Sequence, residues 1–269
     1  MEIKFQDISL KYKNKYLTKN LNVEIKKNMI TGIYNDIYNL IPNLLCKNLE
    51  YSGIIYIDNK EIKDYMKDKI SYISLDCDFL TKTVSDEFYL KQKDLKDETN
   101  DYIDKIISSL NMVGLNKNYL DRDIYSLSRS EKKLLQIALF LVVNPDVIIF
   151  DNVFSFLDKR NQIRLKNIIV ELKKKYEKNI IIIDQDINIL YEICNDIIIF
   201  KEGDILIHDD IKKVFQNLDF LKECNIELPN ILKFIKIAKE KGINLPNQVE
   251  LKDLIKDVYR YANEIKKDV

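Results

Sequence analysis

Two acidic residues follow apolar runs, at positions where a carboxylate can take part in chemistry. Asp151 follows Val147–Phe150 and Asp184 follows Ile180–Ile183. Continuous apolar runs of this length are typical of strands that are buried on both faces of a parallel sheet. The carboxyl ends of such strands meet at the crevice where ligands bind. Asp151 could therefore hold a magnesium ion there through water.

A polar turn upstream of Asp151 is the second candidate region. Ser128 closes this turn, and residues 131–143 then predict an apolar helix. The N-terminus of a helix attracts phosphate because its first N–H groups are free. Asn152 and a loop that ends with Asp158 follow the strand.

The rest of the chain predicts an α/β fold. The apolar runs, including Ile197–Phe200, alternate with helical stretches, which predicts a parallel sheet flanked by helices. Ile3–Leu10 and Leu21–Ile25 alternate apolar and polar residues and predict an N-terminal antiparallel β-subdomain. Residues 86–120 have a helical period and predict an α-helical subdomain. From about residue 215 onward, the pattern predicts a C-terminal helical extension.

Composition and charge exclude several classes of function. Apolar residues make up 46% of the 269 residues and charged residues 32%, which is typical of a globular protein. Lys+Arg and Asp+Glu both number 43, so no net charge directs the chain to nucleic acid or anionic lipid. The longest apolar runs, such as residues 134–143, are half of the roughly 20 residues that a membrane-spanning helix needs. Any membrane role is therefore expected to be peripheral and to go through a partner.

Glycine is scarce in this chain. There are 5 glycines in 269 residues, whereas an average content near 7% predicts about 19. Loops that wrap a phosphate use glycine for positive φ and for close approach of the backbone. The scarcity therefore argues against an intact phosphate loop. Codon bias is the alternative explanation, because it would deplete glycine everywhere.

The order of these elements resembles that of an ABC-type ATPase. The resemblance covers residues 1 to about 210 and rests chiefly on residues 124–158, which match the signature, Walker B and D-loop regions in order. The tail, in segments such as Val214-Phe215 and Leu228-Pro229, resembles the C-terminal part of ATPases from energy-coupling factor (vitamin-uptake) transporters.

The resemblance implies a fold and a division into domains. The fold would be a P-loop NTPase-like parallel sheet flanked by helices, with the antiparallel and helical subdomains described above. Residues 1–214 would form the nucleotide-binding domain, with the helical subdomain at about 80–140, and residues 215–269 the C-terminal helical extension.

In the register of the family, the phosphate loop has lost its chemistry. The pattern Gly-x-x-x-x-Gly-Lys-Ser/Thr and the residue after it become Asn35, Asp36, Ile37, Tyr38, Asn39, Leu40, Ile41, Pro42 and Asn43. Ile41 supplies no cation, Pro42 supplies no magnesium-binding hydroxyl, and Asp36 adds negative charge where phosphate would sit. Losing three or more contacts of about 1.5–3 kcal/mol each would weaken nucleotide binding by roughly 1,000-fold or more.

The residues that the family uses for hydrolysis are also replaced. Leu75 stands at the position of the Q-loop glutamine, Asn152 replaces the general-base glutamate, and Asp184 replaces the switch histidine. An amide cannot accept a proton from water at neutral pH. Asp36, Asp151 and Asp184 would converge on a pocket that must receive a polyanion. The resemblance therefore implies no intact catalytic residue and no cofactor in this chain's own site.

The signature position is partly retained. Leu127 and Ser128 are kept, while Arg129, Ser130 and Glu131 replace Gly-Gly-Gln. The resemblance implies that this turn faces a nucleotide held by a partner subunit, so Mg-ATP is expected at a site shared with that partner. Arg129 would either block close approach of the partner's nucleotide or add a cation to it.

Four further positions keep the residue type of the family. Leu157 and Asp158 match the D-loop, which packs across the dimer in the family. Tyr12 stands where the family places an aromatic residue that stacks on adenine, although packing explains it equally well among 16 tyrosines. Asp151 would bind magnesium only if Mg-nucleotide enters the pocket.

Three functions fit these residues. The first is a catalytically degenerate ABC subunit of an energy-coupling factor transporter, paired with a second ABC ATPase subunit and an integral membrane subunit. Such a subunit would be cytoplasmic and peripheral on the inner face of the cell membrane. The alternatives are a dimeric scaffold without a transport role and an unconventional active ATPase. Nucleic acid is not expected as a partner, because the charges balance.

Overall fold

A computed structural model of the protein describes residues 1–13, 15–46, 49–64, 69–74, 76, 78–95, 101–246 and 251–265. Within them the chain forms one antiparallel sheet, one mostly parallel sheet and ten α-helices. The fold class predicted from the sequence is confirmed, because the α/β layers and both sheets are present.

The antiparallel sheet is built from the N-terminal strands, in the order β2-β1-β4-β5. These strands are β1 (Ile3–Tyr12), β2 (Lys15–Ile25), β4 (Ser52–Ile57) and β5 (Lys60–Glu61). Alternate residues of β1 are buried, since Ile3 and Phe5 point into the core while their neighbours are exposed. This period-two pattern is the reason why the sequence predicts a sheet with one solvated face.

The second sheet has six strands in the order β10-β9-β3-β8-β7-β6. The strands are β3 (Ile30–Tyr34), β6 (Ile70–Ile73), β7 (Val147–Asp151), β8 (Asn179–Ile183), β9 (Asp196–Lys201) and β10 (Asp204–Asp210). Neighbouring strands from β6 to β9 pair in parallel, and β10 pairs with β9 as an antiparallel hairpin.

Each central strand contributes to two hydrophobic cores. In β7, Val147 and Ile149 pack in the core under the antiparallel sheet, while Ile148 and Phe150 pack in the core under the helices. Because both faces are buried, the polar residues of β7 and β8 lie at the strand ends, and the sequence between them is a continuous apolar run.

The helices lie on and beside this sheet. They are α1 (Leu40–Leu45), α2 (Val84–Leu95), α3 (Tyr102–Val113), α4 (Arg129–Leu141), α5 (Lys159–Tyr176), α6 (Ile187–Ile193), α7 (Ile211–Gln216), α8 (Leu218–Glu223), α9 (Asn230–Glu240) and α10 (Leu251–Ile265). The boundary expected between residues 214 and 215 falls inside α7, so the division into a domain and an extension stays a prediction. In the described part of the chain, no helix combines the length and apolar character needed to cross a membrane.

Candidate nucleotide site

The predicted site residues lie where three neighbouring parallel strands end. β3, β8 and β7 are adjacent in the sheet, and Ile183 pairs with both Ile33 and Asp151. The loop after β3, Asp151 at the end of β7 and Asp184 after β8 therefore share one edge. The charge of Asp151 contributes to the raised pKa of both Asp36 and Asp184, so the three carboxyl groups lie near enough to interact.

The loop after β3 keeps left-handed turns without glycine. Asn35 has φ 64° and Asn39 has φ 49°, and asparagine tolerates this region better than most residues. The glycine scarcity therefore does not remove these backbone turns, and this part of the expectation is corrected. The phosphate loop has changed in its side chains instead.

The side chain of Asp36 binds the start of α1. The amide nitrogen of Leu40 donates to Asp36 Oδ1 at 2.9 Å, and that of Ile41 donates to Oδ2 at 3.1 Å. Asp36 is 3% exposed. Burial raises the pKa of this carboxyl to about 6, although the two amides act in the opposite direction.

The other side chains of this loop pack into the protein or face solvent without chemistry. Leu40, Ile41 and Pro42 are buried on α1, so the residue at the lysine position lies in the core. Tyr38 is half-buried against the second core, near Gly203 of the β9–β10 hairpin. The last two residues of the loop are Ile37 and Asn43. Ile37 is exposed, and the side-chain amide of Asn43 points toward the carbonyl of Tyr38 at 3.5 Å.

Both oxygens of Asp151 accept hydrogen bonds from neighbouring side chains. The Tyr72 hydroxyl donates to Oδ2 at 2.6 Å, and Asn152 Nδ2 donates to Oδ1 at 2.7 Å. Burial, followed by the hydrogen bond to Asp151, raises the pKa of Tyr72, so the phenol stays a donor. The sequence analysis does not identify Tyr72, because nothing in the pattern shows which side chain meets Asp151.

Asp184 is a buried carboxyl with one unpaired oxygen. Its Oδ1 accepts the amide of Asp186 at 2.8 Å, and its Oδ2 has no hydrogen-bond partner among the described residues. Burial raises the pKa of Asp184 to about 6. Gln185 and Asp186, which follow it, are exposed. Within the described residues, no group of acidic, cysteine or histidine side chains is arranged to hold a metal ion.

Leu75, the predicted Q-loop position, lies outside the described residues. Its neighbours are fastened to α4 by two side chains that the sequence analysis missed. Lys133 is fully buried and its ammonium donates to the Ser74 carbonyl and to Gln136 Oε1, both at 2.8 Å. Gln136 Nε2 donates to the Asp76 carbonyl at 2.7 Å. The available signal was two polar residues inside an otherwise apolar helix.

The signature turn caps α4. Ser128 Oγ accepts the amide of Glu131 at 3.3 Å, and Glu131 Oε2 accepts the amide of Ser128 at 2.8 Å. A hydrogen bond from the Tyr119 hydroxyl is the largest cause that lowers the pKa of Glu131. Leu127 is buried, and the Arg129 guanidinium lies 5.3 Å from the centre of the Phe156 ring.

The signature turn and the D-loop are connected through Ser130. Its hydroxyl donates to the Phe156 carbonyl at 3.3 Å and accepts the amide of Asp158 at 3.4 Å. Leu157 is buried, and the Asp158 carboxylate caps α5 by accepting the amide of Asn161 at 2.9 Å. The two motifs that the family presents to a partner therefore form one hydrogen-bonded unit.

Tyr12 lies apart from this unit, at the end of β1. Its ring is 58% exposed, and the Lys13 ammonium lies 5.6 Å from the ring centre. An exposed ring at this place is compatible with stacking on a base, and its role stays a prediction.

The described side chains at the strand ends are an amide, hydrogen-bonded carboxyl groups and hydrocarbon. Asn152 carries an amide in place of a base, Asp151 is engaged by two donors, and the lysine position is buried hydrocarbon. No lysine or arginine forms an ion pair with Asp36, Asp151 or Asp184 in the described parts of the chain.

Comparison of the sequence with known proteins gives a matching family profile and several similar proteins. Residues 40–155 match the sequence profile of the ABC transporter family. The energy-coupling factor transporter ATP-binding protein EcfA of Malacoplasma penetrans is 35% identical over 158 residues, or 58% of this chain and 54% of that relative. This match thus spans about half the length of that relative. EcfA1 of Mesomycoplasma hyopneumoniae (strain 7448) is 27% identical over 252 residues, covering 88% of this chain and 91% of the relative.

Comparison of the structure with solved structures gives the same fold. cbiO1 from Clostridium perfringens, part of the ABC transporter complex cbiONQ, superposes with a TM-score of 0.72 at 23% identity, covering 87% of this chain and 98% of that one. The ATP-binding cassette MJ0796, solved as a dimer with ADP and Pi, superposes with a TM-score of 0.68 at 19% identity, covering 78% and 98%. By sequence profile, sequence similarity and fold, the chain is similar to ABC-type ATPases, and among them to the ATPase subunits of energy-coupling factor transporters.

Proposed function

We propose that this protein is a catalytically degenerate ATPase subunit of an energy-coupling factor transporter. It pairs with an active ABC ATPase subunit and with an integral membrane subunit, which keeps it peripheral on the inner face of the cell membrane. Its own nucleotide pocket does not hydrolyse ATP. Its signature turn and D-loop contribute to the Mg-ATP site of the partner.

The observation on which this proposal rests is the state of Asp151. A carboxylate that binds magnesium must offer its oxygens to the hydrated ion. Here one oxygen accepts from Tyr72 and the other from Asn152. The residues present do not fit a Mg-nucleotide in this chain's own pocket, because two donors take up part of the acceptor capacity of Asp151, Ile41 and Pro42 are buried hydrocarbon, and the general-base position is an amide.

The state of the partner-facing motifs supports a role in a dimer. Ser128 is exposed at the start of α4, and Ser130 connects that start to the D-loop residue Asp158. The signature turn and the D-loop keep their connecting hydrogen bonds and their helix caps. The chain's own pocket, by contrast, differs from the family pattern at its phosphate-binding positions. A protein in which the whole site had no use would not be expected to keep the first and lose the second. The relatives EcfA and EcfA1 are named as ATP-binding proteins of energy-coupling factor transporters, and the proposal extends that assembly to this chain.

Co-expression with an energy-coupling factor ATPase subunit from the same genome tests this function. We expect a complex that is recovered with membranes and that hydrolyses ATP faster than the partner alone. Ser128→Ala should lower that rate several-fold, whereas Ser52→Ala, on the exposed antiparallel sheet, should leave it unchanged.

Three results would contradict the proposal. Absence of a complex, or no effect of this chain on the partner's hydrolysis, would exclude the assigned role. A nucleotide-insensitive homodimer without membrane association would favour the scaffold. ATP turnover by the isolated chain that is lost in Asp151→Ala would favour an unconventional active ATPase.

A further inference from the structure

The loop after β3 is closed by a group of the chain itself. α1 begins at Leu40, and the first amides of a helix have no partner within the helix. In this chain two of them, those of Leu40 and Ile41, donate to the two oxygens of Asp36. One carboxylate therefore satisfies donors that a phosphate group would take in an ATPase that binds nucleotide.

The Asp36 carboxylate is an enclosed part of this loop. The residue is 3% exposed, and no lysine or arginine among the described residues pairs with it. Two backbone amides donate to its oxygens, which favours the ionised form, although burial raises its pKa to about 6. The carboxylate therefore acts as a resident anion. A second anion brought to the same two amides would have to displace it and would meet its charge at close range.

Two further contacts hold the loop around this carboxylate. Asn35 Nδ2 donates to the Phe200 carbonyl at 3.0 Å, which fastens the start of the loop to β9. The ring of Tyr38 lies against Gly203, where an added Cβ would be 3.2 Å from the ring. Contacts of the chain itself thus fix the loop at its first residue and at its middle.

We propose that the Asp36 carboxylate is a built-in replacement for the nucleotide phosphate, which keeps the loop folded and closed to nucleotide. This closure depends on the chain's own contacts and goes beyond the proposed transport role. It is tested on the full isolated chain, so its failure is distinct from a failure to assemble with a partner ATPase.

Amide hydrogen exchange in Asp36→Ala tests the closure. Removing both acceptor oxygens should speed exchange at the Leu40 and Ile41 amides by about tenfold or more, and should lower the melting temperature by about 3 °C or more. Asp121→Ala, which removes an exposed acid, is the matched control and should change neither. Unchanged exchange at both amides in Asp36→Ala would overturn the proposal.

A second variant covers the case in which Asp36→Ala does not fold. Asp36→Asn keeps one acceptor oxygen and presents an NH2 group to the other amide, so exchange should accelerate at one of the two amides only. Acceleration at neither amide would contradict the proposal. In the unmodified chain, 1 mM Mg-ATP or inorganic phosphate should leave exchange at Leu40 and Ile41 unchanged, and slower exchange there would show that a ligand displaces the carboxylate.

Discussion

At the scale of single residues, three carboxyl groups at one sheet edge have three different environments. Asp36 binds two helix amides, Asp151 accepts from a phenol and an amide, and Asp184 has one oxygen without a described partner. Burial raises the pKa of Asp36 and Asp184 to about 6. These acids repel a triphosphate. Asp36 also takes up two amide donors that a phosphate would need, and the hydrogen bonds from Tyr72 and Asn152 take up acceptor capacity of Asp151.

Ionisation of the buried Asp184 carboxyl lowers the free energy of unfolding, and the size of this effect depends on pH. Its folded pKa of about 6 lies above the ordinary value of about 4, so between these values the folded state binds more protons than the unfolded state. Stability from this group is therefore greatest below pH 4 and falls as pH rises to 6. Asp184→Asn removes this effect and should raise the free energy of unfolding by about 1 kcal/mol or more at pH 7.5.

Denaturant unfolding at two pH values measures this effect. At pH 4 the variant should show no gain, because the carboxyl is already protonated there. Asp121→Asn, at an exposed position, should show no gain at either pH. A gain in Asp184→Asn that is equal at pH 4 and pH 7.5 would contradict the assignment.

At the scale of elements, α4 is fastened to the segment after β6 by a buried ammonium. Lys133→Met would remove the donor to the Ser74 carbonyl and to Gln136. Leaving a buried acceptor without a partner should lower the free energy of unfolding by about 1–3 kcal/mol. Lys132→Met, next to it and half-exposed, should cost less than about 0.5 kcal/mol. Equal losses in urea unfolding would exclude the fastening role.

The cap of α4 is the second element that can be tested. Ser128→Ala removes the acceptor of the Glu131 amide and should destabilise the protein by about 1 kcal/mol. Ser108→Ala, at an exposed position inside α3, should be neutral or slightly stabilising because alanine favours helix interiors. Thermal unfolding compares the two, and an equal response would mean that the capping box does not stabilise α4.

The sequence predicts the elements better than it predicts the contacts between them. Residues 147–150 and 180–183 are strands as predicted, because burial on both faces leaves a pattern along the chain. The contacts of Asp36 and Tyr72 leave no such pattern. They depend on which side chains the folded chain brings within about 3 Å, and periodicity does not encode that.

At the scale of the whole molecule, the fold is kept while the ligand groups are replaced. The left-handed turns include Asn35, Asn39 and Asn152, so asparagine supplies backbone shapes for which glycine is the usual choice. This explains how a chain with 5 glycines in 269 residues retains the architecture of an ABC-type ATPase. The differences from the family pattern lie in the side chains, not in the topology.

Calorimetric titration of the isolated chain with Mg-ATP tests the central claim most directly. The account predicts no saturable heat up to about 1 mM nucleotide, since the lost contacts weaken binding to a Kd on the order of millimolar or more. A saturable one-site isotherm in the micromolar range that disappears in Asp151→Ala would contradict it. That result would mean that nucleotide displaces both Asp36 from the loop amides and Tyr72 from Asp151.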